Sequence, residues 1–441
     1  MYEITKCSWL HNAMTCCMVL MIALVTGCAM NPVTGRSELV SSQLSTSEQV
    51  DLGMHTFPAV IQQMGGEVPD LQLQGYVQKV GSLLVTAGHR AELDFQFRVV
   101  NQPLPNAFSL PGGYVVITRG LLAHLENEAQ LAAVLGHAIA HVTAKHVLQG
   151  GRHKQIAQFA AALSGRGGDA GFSPLALQTG KVASLLLDNR FTREQEQEAD
   201  RLGSDYMVAA GYDPMGAIGV QGIFDRKFDR ERHPDWMDNL FRTHPYSSKR
   251  PESNRDHIMT THAAVVGSPG AATGEEAFSE AVRYVVETEP GYQIYSQALS
   301  QEAAGEPNLA IQTLHEALKS APDEALIHTA IGLAYLRQED LLSARRYLRQ
   351  AVGLDSDHYQ PQLGLGYVYL KREEFARAIT FLERSVARLA TNQGVFLLGE
   401  AYLASGQKGE ATLRYRSVAD FEPQGRLGQA AARRLAELEA R

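Results

Sequence analysis

Apolar residues recur at helical spacing along most of the chain and alternate in only one short region. Apolar positions every three or four residues predict helices over 44–64, with Ser47 as the N-cap, and over 71–87. Alternation over 95–100 predicts a strand, and 106–118 predicts a second strand with a Pro-Gly-Gly turn or bulge inside it. These segments predict a small sheet in a mainly helical domain.

Helical spacing returns after the strands. One helix is predicted from 121 towards 150, and another from 192 to 210, with Gly211 at a position that suits a helix C-terminus. Residues 164–169 between them are small and polar, which predicts a loop. A lid over a cleft and a plain surface connection are equally open interpretations of this loop.

The C-terminal third of the chain repeats with a period of about 34 residues. Alanines recur in this register at Ala310, Ala344, Ala378 and Ala411. A Gly-x-x-Tyr-Leu segment recurs in the same register, starting at Gly332, Gly366 and Gly399. This pattern resembles the tetratricopeptide repeat, which implies stacked helix pairs with a concave surface for peptides or partner proteins.

Length, composition and charge narrow the class of protein. With 441 residues, the chain is too long for one ordinary core, and two or three domains are expected. The net charge is −8 and the chain has no dense Lys/Arg cluster, which argues against nucleic acid as the main partner. Residues 262–276 are rich in Ala, Gly, Ser and Thr, so we expect a domain boundary there.

All four cysteines lie within the first 28 residues, at Cys7, Cys16, Cys17 and Cys28. The rest of the chain therefore offers neither a disulfide nor a thiolate, and any metal ion must be held there by His, Asp or Glu.

The N-terminal segment is typical of an exported protein. Residues 13–27 are almost wholly apolar, a length that is short for a transmembrane span and typical of a signal-peptide core. The segment ends in Val-Thr-Gly-Cys at Cys28, which resembles a bacterial lipobox and implies cleavage before Cys28 and its lipidation. Ala29, where an aspartate would favour the inner membrane, favours the outer membrane. An ordinary secretory signal or a short membrane anchor is the alternative.

His137 and His141 lie four residues apart on a predicted helix, so both imidazoles leave the same face and can bind one metal ion. In the zinc-protease signature H-E-x-x-H, a glutamate directly after the first histidine acts as the general base. That position is Ala138 here. The acidic run over 194–200 can supply a third ligand, although such a run is by itself more typical of a solvated helix face.

Three motifs, taken in order, resemble the HtpX and CAAX-prenyl-protease family of zinc metallopeptidases. They are Gly136-His137-x-x-x-His141, Glu196-x-x-x-Asp200-Arg201-x-Gly203 and Thr243-His244-Pro245. Asn106-Ala107-Phe108, followed by a Pro-Gly-Gly segment, looks like the substrate-binding edge strand of that family. With the lipobox and the repeats, nearly the whole mature chain resembles the BepA-like periplasmic proteases.

The resemblance implies one zinc ion per chain, with His137, His141 and Glu196 as its ligands. It also implies that Asp200, one turn beyond Glu196, orients His141 or another group that binds the metal. His244 matches a family histidine that either caps the open position of the zinc at rest or stabilises the oxyanion during reaction.

Further residues receive their roles from the same resemblance. Arg250 matches an arginine of the family and is grouped with the edge strand as substrate-binding. Glu194 and Glu198 are expected to face solvent, and His146, five residues beyond the second histidine, is expected to be structural.

Two features depart from the family pattern: the repeat region has no cysteine, and Ala138 replaces the general base. Losing general acid–base help costs about 10²–10⁴ in rate, whereas no metal ligand is lost. We therefore expect a metal-loaded protein with little or no hydrolysis. A single engineered substitution is favoured because the other motif positions are intact. A natural pseudoprotease that acts as a zinc-stabilised chaperone is the alternative.

The expected fold is α+β and predominantly α: a zincin-like metallopeptidase domain with a small sheet, followed by an all-α solenoid of tetratricopeptide repeats. The expected boundaries are a signal peptide over 1–27, a tether over 28–43, the metallopeptidase domain over 44–261, a linker over 262–288 and the repeats over 289–441.

The family implies a periplasmic zinc metalloendopeptidase, lipid-anchored at the outer membrane, for quality control of envelope proteins. Its partners would be client polypeptides at the repeats and the edge strand, the membrane at the lipid anchor, and the outer-membrane assembly machinery. A non-catalytic adaptor or chaperone that acts through its repeats is the competing function. A helical lipoprotein whose histidines only fill the core is a third interpretation.

Overall fold

The computed structural model describes residues 28–31, 33–39, 44–149, 153–164, 174–230, 243–244 and 249–440. The expected signal peptide over 1–27, the loop residues 165–169 and Pro245 lie outside the described residues. Within the described part, helices dominate and the strands form two small sheets, so the expected α+β, predominantly α fold is confirmed. None of the helices in that part has the length and apolar character that a membrane crossing requires.

The helices predicted over 44–64, 71–87, 121–150 and 192–210 are present in that order, and further helices that were not predicted lie between and after them. The helices before the repeats are α1 Thr46–Gln63, α2 Leu71–Ala87, α3 Arg119–Leu122, α4 Glu128–Thr143, α5 His153–Ser164, α6 Pro174–Leu187, α7 Arg193–Ala209, α8 Met215–Arg230, α9 Lys249–Thr261 and α10 Glu275–Ala281. The helix predicted from 121 to 150 is interrupted, because Asn127 caps the start of α4 and a 3₁₀ turn at His146–Leu148 follows its end.

The N-cap of α1 is Ser45, so the predicted cap at Ser47 is wrong. The Ser45 hydroxyl accepts from the backbone N–H of Glu48, and the Glu48 carboxylate accepts from the backbone N–H of Ser45. This reciprocal pair satisfies two donors at the helix end.

The strands form one ribbon and one three-stranded sheet. β1 (Cys28–Met30) pairs with β2 (Ser37–Leu39) in antiparallel orientation. The larger sheet has the order β3 (Gln96–Val100), β5 (Tyr114–Thr118), β4 (Ala107–Leu110), with β3 parallel and β4 antiparallel to β5. β4 therefore lies at an edge of this sheet.

The β4–β5 hairpin corrects the single strand predicted over 106–118. The chain reverses at Gly112 and Gly113, whose φ angles are 84° and 99°. Glycine adopts this left-handed region without steric cost, so the segment is a turn between two strands rather than a bulge within one.

The repeat helices follow one another without a strand. They are α11 Arg283–Ala303, α12 Pro307–Ser320, α13 Ala325–Arg337, α14 Leu341–Leu354, α15 Tyr359–Lys371, α16 Phe375–Arg388, α17 Asn392–Ala404, α18 Lys408–Phe421 and α19 Arg426–Glu439. The predicted small residues lie at the crossings, since a Cβ at Gly332 or Gly366 would meet Leu348 or Leu382 at 2.6 or 2.4 Å. The domain boundaries given above stay a prediction.

A buried polar cluster joins the first domain to the repeats. The Arg119 guanidinium donates to Asn101 Oδ1 over 2.8 Å, lies 3.5 Å from the centre of the Tyr292 ring, and pairs with Glu324 at 3.5 Å. The Tyr292 hydroxyl donates to Glu324 over 2.5 Å. Because Arg119 and Glu324 are almost fully buried, separating the sheet from the repeat helices would leave each of these charges without its partner.

Helices α4 and α7 approach each other at two glycines. A Cβ on Gly203 would lie 2.8 Å from the backbone nitrogen of His137, and a Cβ on Gly136 would lie 3.0 Å from the carbonyl oxygen of Gly203. Both obstacles are backbone atoms, which cannot rotate away. The separation of α4 and α7 is therefore set by glycine on both sides.

We expect Gly203→Ala to push α7 away from α4 and to reduce stability by about 1–3 kcal/mol, the cost of overpacking a close contact. Thermal or urea unfolding measures this loss. Gly75→Ala is the matched control, because Gly75 lies on an exposed face of α2, where an added Cβ would meet nothing within 4 Å. Equal stability of the two variants would contradict the glycine contact.

Candidate metal centre

Two histidines of α4 face each other at the centre of the site. The Nε2 atoms of His137 and His141 are 3.0 Å apart, and their ring centres are 4.7 Å apart. The spacing of four residues puts both rings on one face of the helix, as the sequence indicated. His141 is fully buried, whereas His137 is 19% exposed.

Helix α7 brings a carboxylate to the same point. Glu196 lies in its first turn, after Thr192 caps the helix, and its side chain is fully buried. Its oxygens lie 3.6 Å from His137 Nε2 and 3.4 Å from His141 Nε2. The predicted third residue of the set therefore meets the other two.

His244 completes the cluster. Its Nδ1 lies 2.9 Å from Glu196 Oε1, and its ring centre lies 5.4 and 5.5 Å from those of His137 and His141. One donor atom from each of these four residues lies within 4.8 Å of the others. Phe191 stacks on His141 at 3.7 Å and covers an apolar side of the site.

Hydrogen bonds behind the rings fix which nitrogen faces the centre. His137 Nδ1 lies 3.0 Å from Asp200 Oδ1, so the proton sits on Nδ1 and the Nε2 lone pair faces inwards. Asp200 thus orients His137, one of the alternatives that the resemblance left open. His141 is oriented by a different group.

That group is His146, which the sequence marked as structural. His146 Nδ1 lies 3.1 Å from His141 Nδ1, and His146 Nε2 lies 3.0 Å from Glu198 Oε2. If His146 donates to Glu198, its Nδ1 accepts from His141 and leaves the Nε2 lone pair of His141 free for a ligand role. Glu198 is buried, so its predicted solvent exposure is wrong, whereas Glu194 is exposed as predicted.

Arg250 neutralises the two buried carboxylates. Its guanidinium lies 2.7 Å from Glu196 Oε2 and contacts both oxygens of Asp200 at 2.8 and 2.9 Å. Burial raises the pKa of Glu196, but His244 and Arg250 outweigh it and hold that pKa well below its usual range. For His141, burial itself lowers the pKa well below its usual range, which keeps the imidazole neutral. A neutral imidazole and an ionised carboxylate are what a metal ligand requires.

The donor set fits a zinc ion. Zinc binds nitrogen and oxygen at roughly 2.0–2.2 Å, so two donors in a tetrahedron lie about 3.3–3.6 Å apart. The separations of 3.4 and 3.6 Å from Glu196 to His141 and His137 lie in that range, and the 3.0 Å between the two histidines is slightly shorter. Two imidazole lone pairs and a carboxylate that converge in this way would repel one another without a cation or a shared proton.

A cavity of about 120 Å³ opens beside the cluster. It is lined by Ala138, Ala107 and Ser109 on one side and by residues of α7, α8 and α9 on the other. The Ser109 hydroxyl donates to the Ala138 carbonyl over 2.7 Å, which ties the edge strand β4 to α4. Because Ala138 itself lines the cavity, a longer side chain at this position would extend into it.

The predicted substrate residues divide into two groups. Ala107 lines the cavity, and Arg250 also borders it while pairing with the carboxylates. Asn106 and Phe108 are buried, and Asn106 Nδ2 lies 3.5 Å from the hydroxyl of Thr243, next to His244. Neither Phe191 nor the orientation of His141 by His146 was foreseen, because contacts between distant segments leave no local pattern in the sequence.

The amino-acid sequence matches two known families. Residues 71–256 match Peptidase family M48, and residues 295–359 and 329–393 match the tetratricopeptide repeat. All the residues of the cluster lie within the first match. The fold, the site and these matches agree on the class: a domain similar to peptidase family M48 followed by tetratricopeptide repeats, which confirms the resemblance to BepA-like metallopeptidases.

Individual relatives give the same result. The beta-barrel assembly-enhancing protease of Escherichia coli K12 is 29% identical over 239 residues, covering 52% of this chain and 47% of that protein. The Yersinia pestis protein of the same name is 25% identical over 379 residues, covering 78% and 76%. The mitochondrial metalloendopeptidase OMA1 of Arabidopsis thaliana is 30% identical over 187 residues, covering 41% and 35%. The match spans about half the length of the Escherichia coli relative.

We expect Asp200→Asn to weaken zinc binding by about 10- to 100-fold, because the amide no longer holds His137 and Arg250 with a negative charge. Competition with a chromophoric chelator measures the affinity. Glu194→Gln is the control, since Glu194 is an exposed carboxylate on the same helix. An unchanged affinity in Asp200→Asn would show that this carboxylate does not orient a ligand.

Proposed function

We propose that this chain is a zinc metalloendopeptidase that is lipid-anchored in the periplasm, favours the outer membrane, and acts on misassembled envelope proteins. With Ala138 in the position of the general base, it would hydrolyse peptide bonds little or not at all. The observation that carries the proposal is the convergence of His137, His141 and Glu196 within a family M48 domain. The cavity beside them is bordered by Ala107 and Ser109 of the edge strand β4.

His137, His141 and Glu196 would hold the zinc ion, which when bound polarises a carbonyl group and makes water a better nucleophile at neutral pH. Asp200 and His146 keep the two imidazoles in the tautomers that this task requires. Arg250 keeps Glu196 ionised by pairing with it.

The edge strand β4 supplies the means to bind an extended substrate. A strand at the edge of a sheet can pair its free backbone groups with an added polypeptide strand. Ala107 borders the cavity, so a substrate paired with β4 would pass beside the cluster. Asn106 and Phe108 would hold this strand in place, because both are buried.

His244 would have two successive roles. At rest it lies 2.9 Å from Glu196 and closes one side of the cluster. When a substrate enters, the His244 imidazole would instead donate a hydrogen bond to the oxyanion that develops on the scissile carbonyl. This assignment uses both family roles and puts them in sequence.

Ala138 explains why the chain should be inactive. In the active signature, a glutamate here accepts a proton from the attacking water and later delivers it to the leaving amine. The methyl group of Ala138 can do neither, although it lines the cavity. Every other position of the metal cluster carries a competent side chain, which supports a single substitution in an otherwise intact protease.

The repeats would hold the client. Tetratricopeptide repeats commonly form concave surfaces for peptides and proteins, and residues 295–393 match this repeat. The Escherichia coli relative is named for enhancing β-barrel assembly. We therefore propose partly assembled outer-membrane β-barrel proteins as clients, and the assembly machinery as a partner.

Ala138→Glu tests the protease directly. We expect it to cleave an unfolded protein such as casein at a rate about 10²–10⁴ above that of the present chain, with activity lost to a zinc chelator. Ala138→Gln is the matched control, because glutamine has the same shape and cannot act as a base.

Equal rates for the two variants, with zinc bound in each, would overturn the protease. A non-catalytic adaptor or chaperone would then be the better description, and Ala138 is the observation that favours it. In that case, prevention of client aggregation by the present chain would measure its function.

The lipid anchor has its own test. We expect Cys28→Ala to abolish incorporation of labelled palmitate and to leave the N-terminal segment uncleaved, because both the cleavage and the modified sulfur depend on Cys28. Cys17→Ala is the control, since it removes a cysteine from the segment that would be cleaved off. Palmitate incorporation that survives Cys28→Ala would refute the lipobox.

A further inference from the structure

A second cluster of metal-ligating groups lies away from the site described above. It contains Asp205 on α7, His257 on α9 and His262 just after α9. The Nε2 atoms of His257 and His262 lie 2.8 and 2.6 Å from the same oxygen, Asp205 Oδ1. One ligand atom from each of the three residues lies within 4.8 Å of the other two.

The packing of α9 on α7 produces this convergence. Arg250 of α9 pairs with Asp200 of α7 at one end, and Asn254 accepts from the Ser204 hydroxyl over 3.1 Å in the middle. The backbone N–H of His262 donates to the Ile258 carbonyl, so the helical turn continues past the end of α9. Both imidazoles are thereby brought to the same end of the contact.

The chemistry of the three groups suits a transition-metal ion. Two imidazole nitrogens and one carboxylate oxygen form a donor set that zinc, cobalt, nickel and copper prefer to magnesium or calcium. Zinc at roughly 2.0–2.1 Å from its ligands needs two of them about 3.3–3.4 Å apart in a tetrahedron. The present N–O distances of 2.8 and 2.6 Å are those of hydrogen bonds, so the side chains would have to rotate apart by roughly half to three-quarters of an ångström to admit the ion.

The setting also suits a bound ion. Side-chain exposure is 19% for His257, 16% for His262 and 39% for Asp205, so an ion has a path to the site. Water can occupy the remaining coordination positions. Without an ion, both Nε2 atoms must carry protons, because each forms a hydrogen bond to the same carboxylate oxygen. A bound cation would take the place of these two protons between the imidazoles and the carboxylate.

We propose that Asp205, His257 and His262 bind a second divalent transition-metal ion, with zinc as the natural probe, and that this ion fastens α9 to α7. Helix α9 carries Arg250, which pairs with Glu196 and Asp200 in the first site. An ion at the far end of the same helix pair would fix the position of that arginine. The second site is independent of whether the chain is a protease.

Zinc stoichiometry of the full mature chain tests the proposal. After dialysis against buffered free zinc, we expect about two ions per chain in the present protein. We expect about one ion in His257→Gln/His262→Gln and about one in His137→Gln/His141→Gln. His55→Gln is the control, because His55 is an exposed histidine outside both clusters and its loss should leave the stoichiometry unchanged.

The two double variants separate the second site from the first. If the present chain and His257→Gln/His262→Gln hold the same single ion, and His137→Gln/His141→Gln holds none, the second site is overturned. If His137→Gln/His141→Gln keeps the full stoichiometry, the first site is overturned. The ion count of His257→Gln/His262→Gln then decides the second site by itself.

A second measurement guards against a variant that fails to fold. Zinc should raise the thermal midpoint of His137→Gln/His141→Gln, and Asp205→Asn added to that variant should abolish the rise while circular dichroism shows an unchanged helix content. An equal rise with and without Asp205→Asn would overturn the proposal. Copper bound to His137→Gln/His141→Gln should show two nitrogen couplings in its electron paramagnetic resonance spectrum.

Discussion

The close approach of α4 and α7 is the constraint on which the site depends. Gly136 and Gly203 let the two backbones meet at a distance that a Cβ on either residue would prevent. Because His137 and His141 lie on one helix and Glu196 on the other, the spacing of the backbones sets the spacing of the three donor atoms. The geometry of the metal site therefore depends on a backbone contact between two glycines, which have no side chains.

The polar groups around this contact compensate one another. Glu196 and Asp200 are carboxylates taken out of water, which would be costly if either were unpaired. Arg250 pairs with both, and the histidines use their second nitrogens to satisfy Asp200 and the Glu198–His146 pair. The result is a rigid frame in which the inward-facing nitrogens have little freedom to turn away.

Local patterns predicted most of the fold and the central residues of the site. The spacing of His137 and His141 is a property of one helix, so it was visible in the sequence, as was the 34-residue register of the repeats. Glu196 and His244 required a family resemblance, because nothing local distinguishes Glu196 from its acidic neighbours. The turn at Gly112 and Gly113 was seen, but whether it divided one strand or joined two depended on hydrogen bonding between distant segments.

The errors have a common physical cause. Glu198 was assigned to solvent because an acidic run on a helix usually faces water, whereas His146 covers it here through a contact 52 residues away. The same long-range contact explains why His141 is oriented by His146 and leaves Asp200 to His137. Helical periodicity shows which residues share a face, and only tertiary packing shows what that face meets.

The sealed Arg119–Tyr292–Glu324 cluster has a consequence for how the two parts of the chain would work together. Arg119 directly follows β5, and β5 pairs with the edge strand β4. The repeats are therefore anchored to the same sheet that borders the cavity. If the repeats hold a polypeptide, as proposed above, this fixed connection would determine how many of its residues separate the bound segment from the part that reaches the cavity.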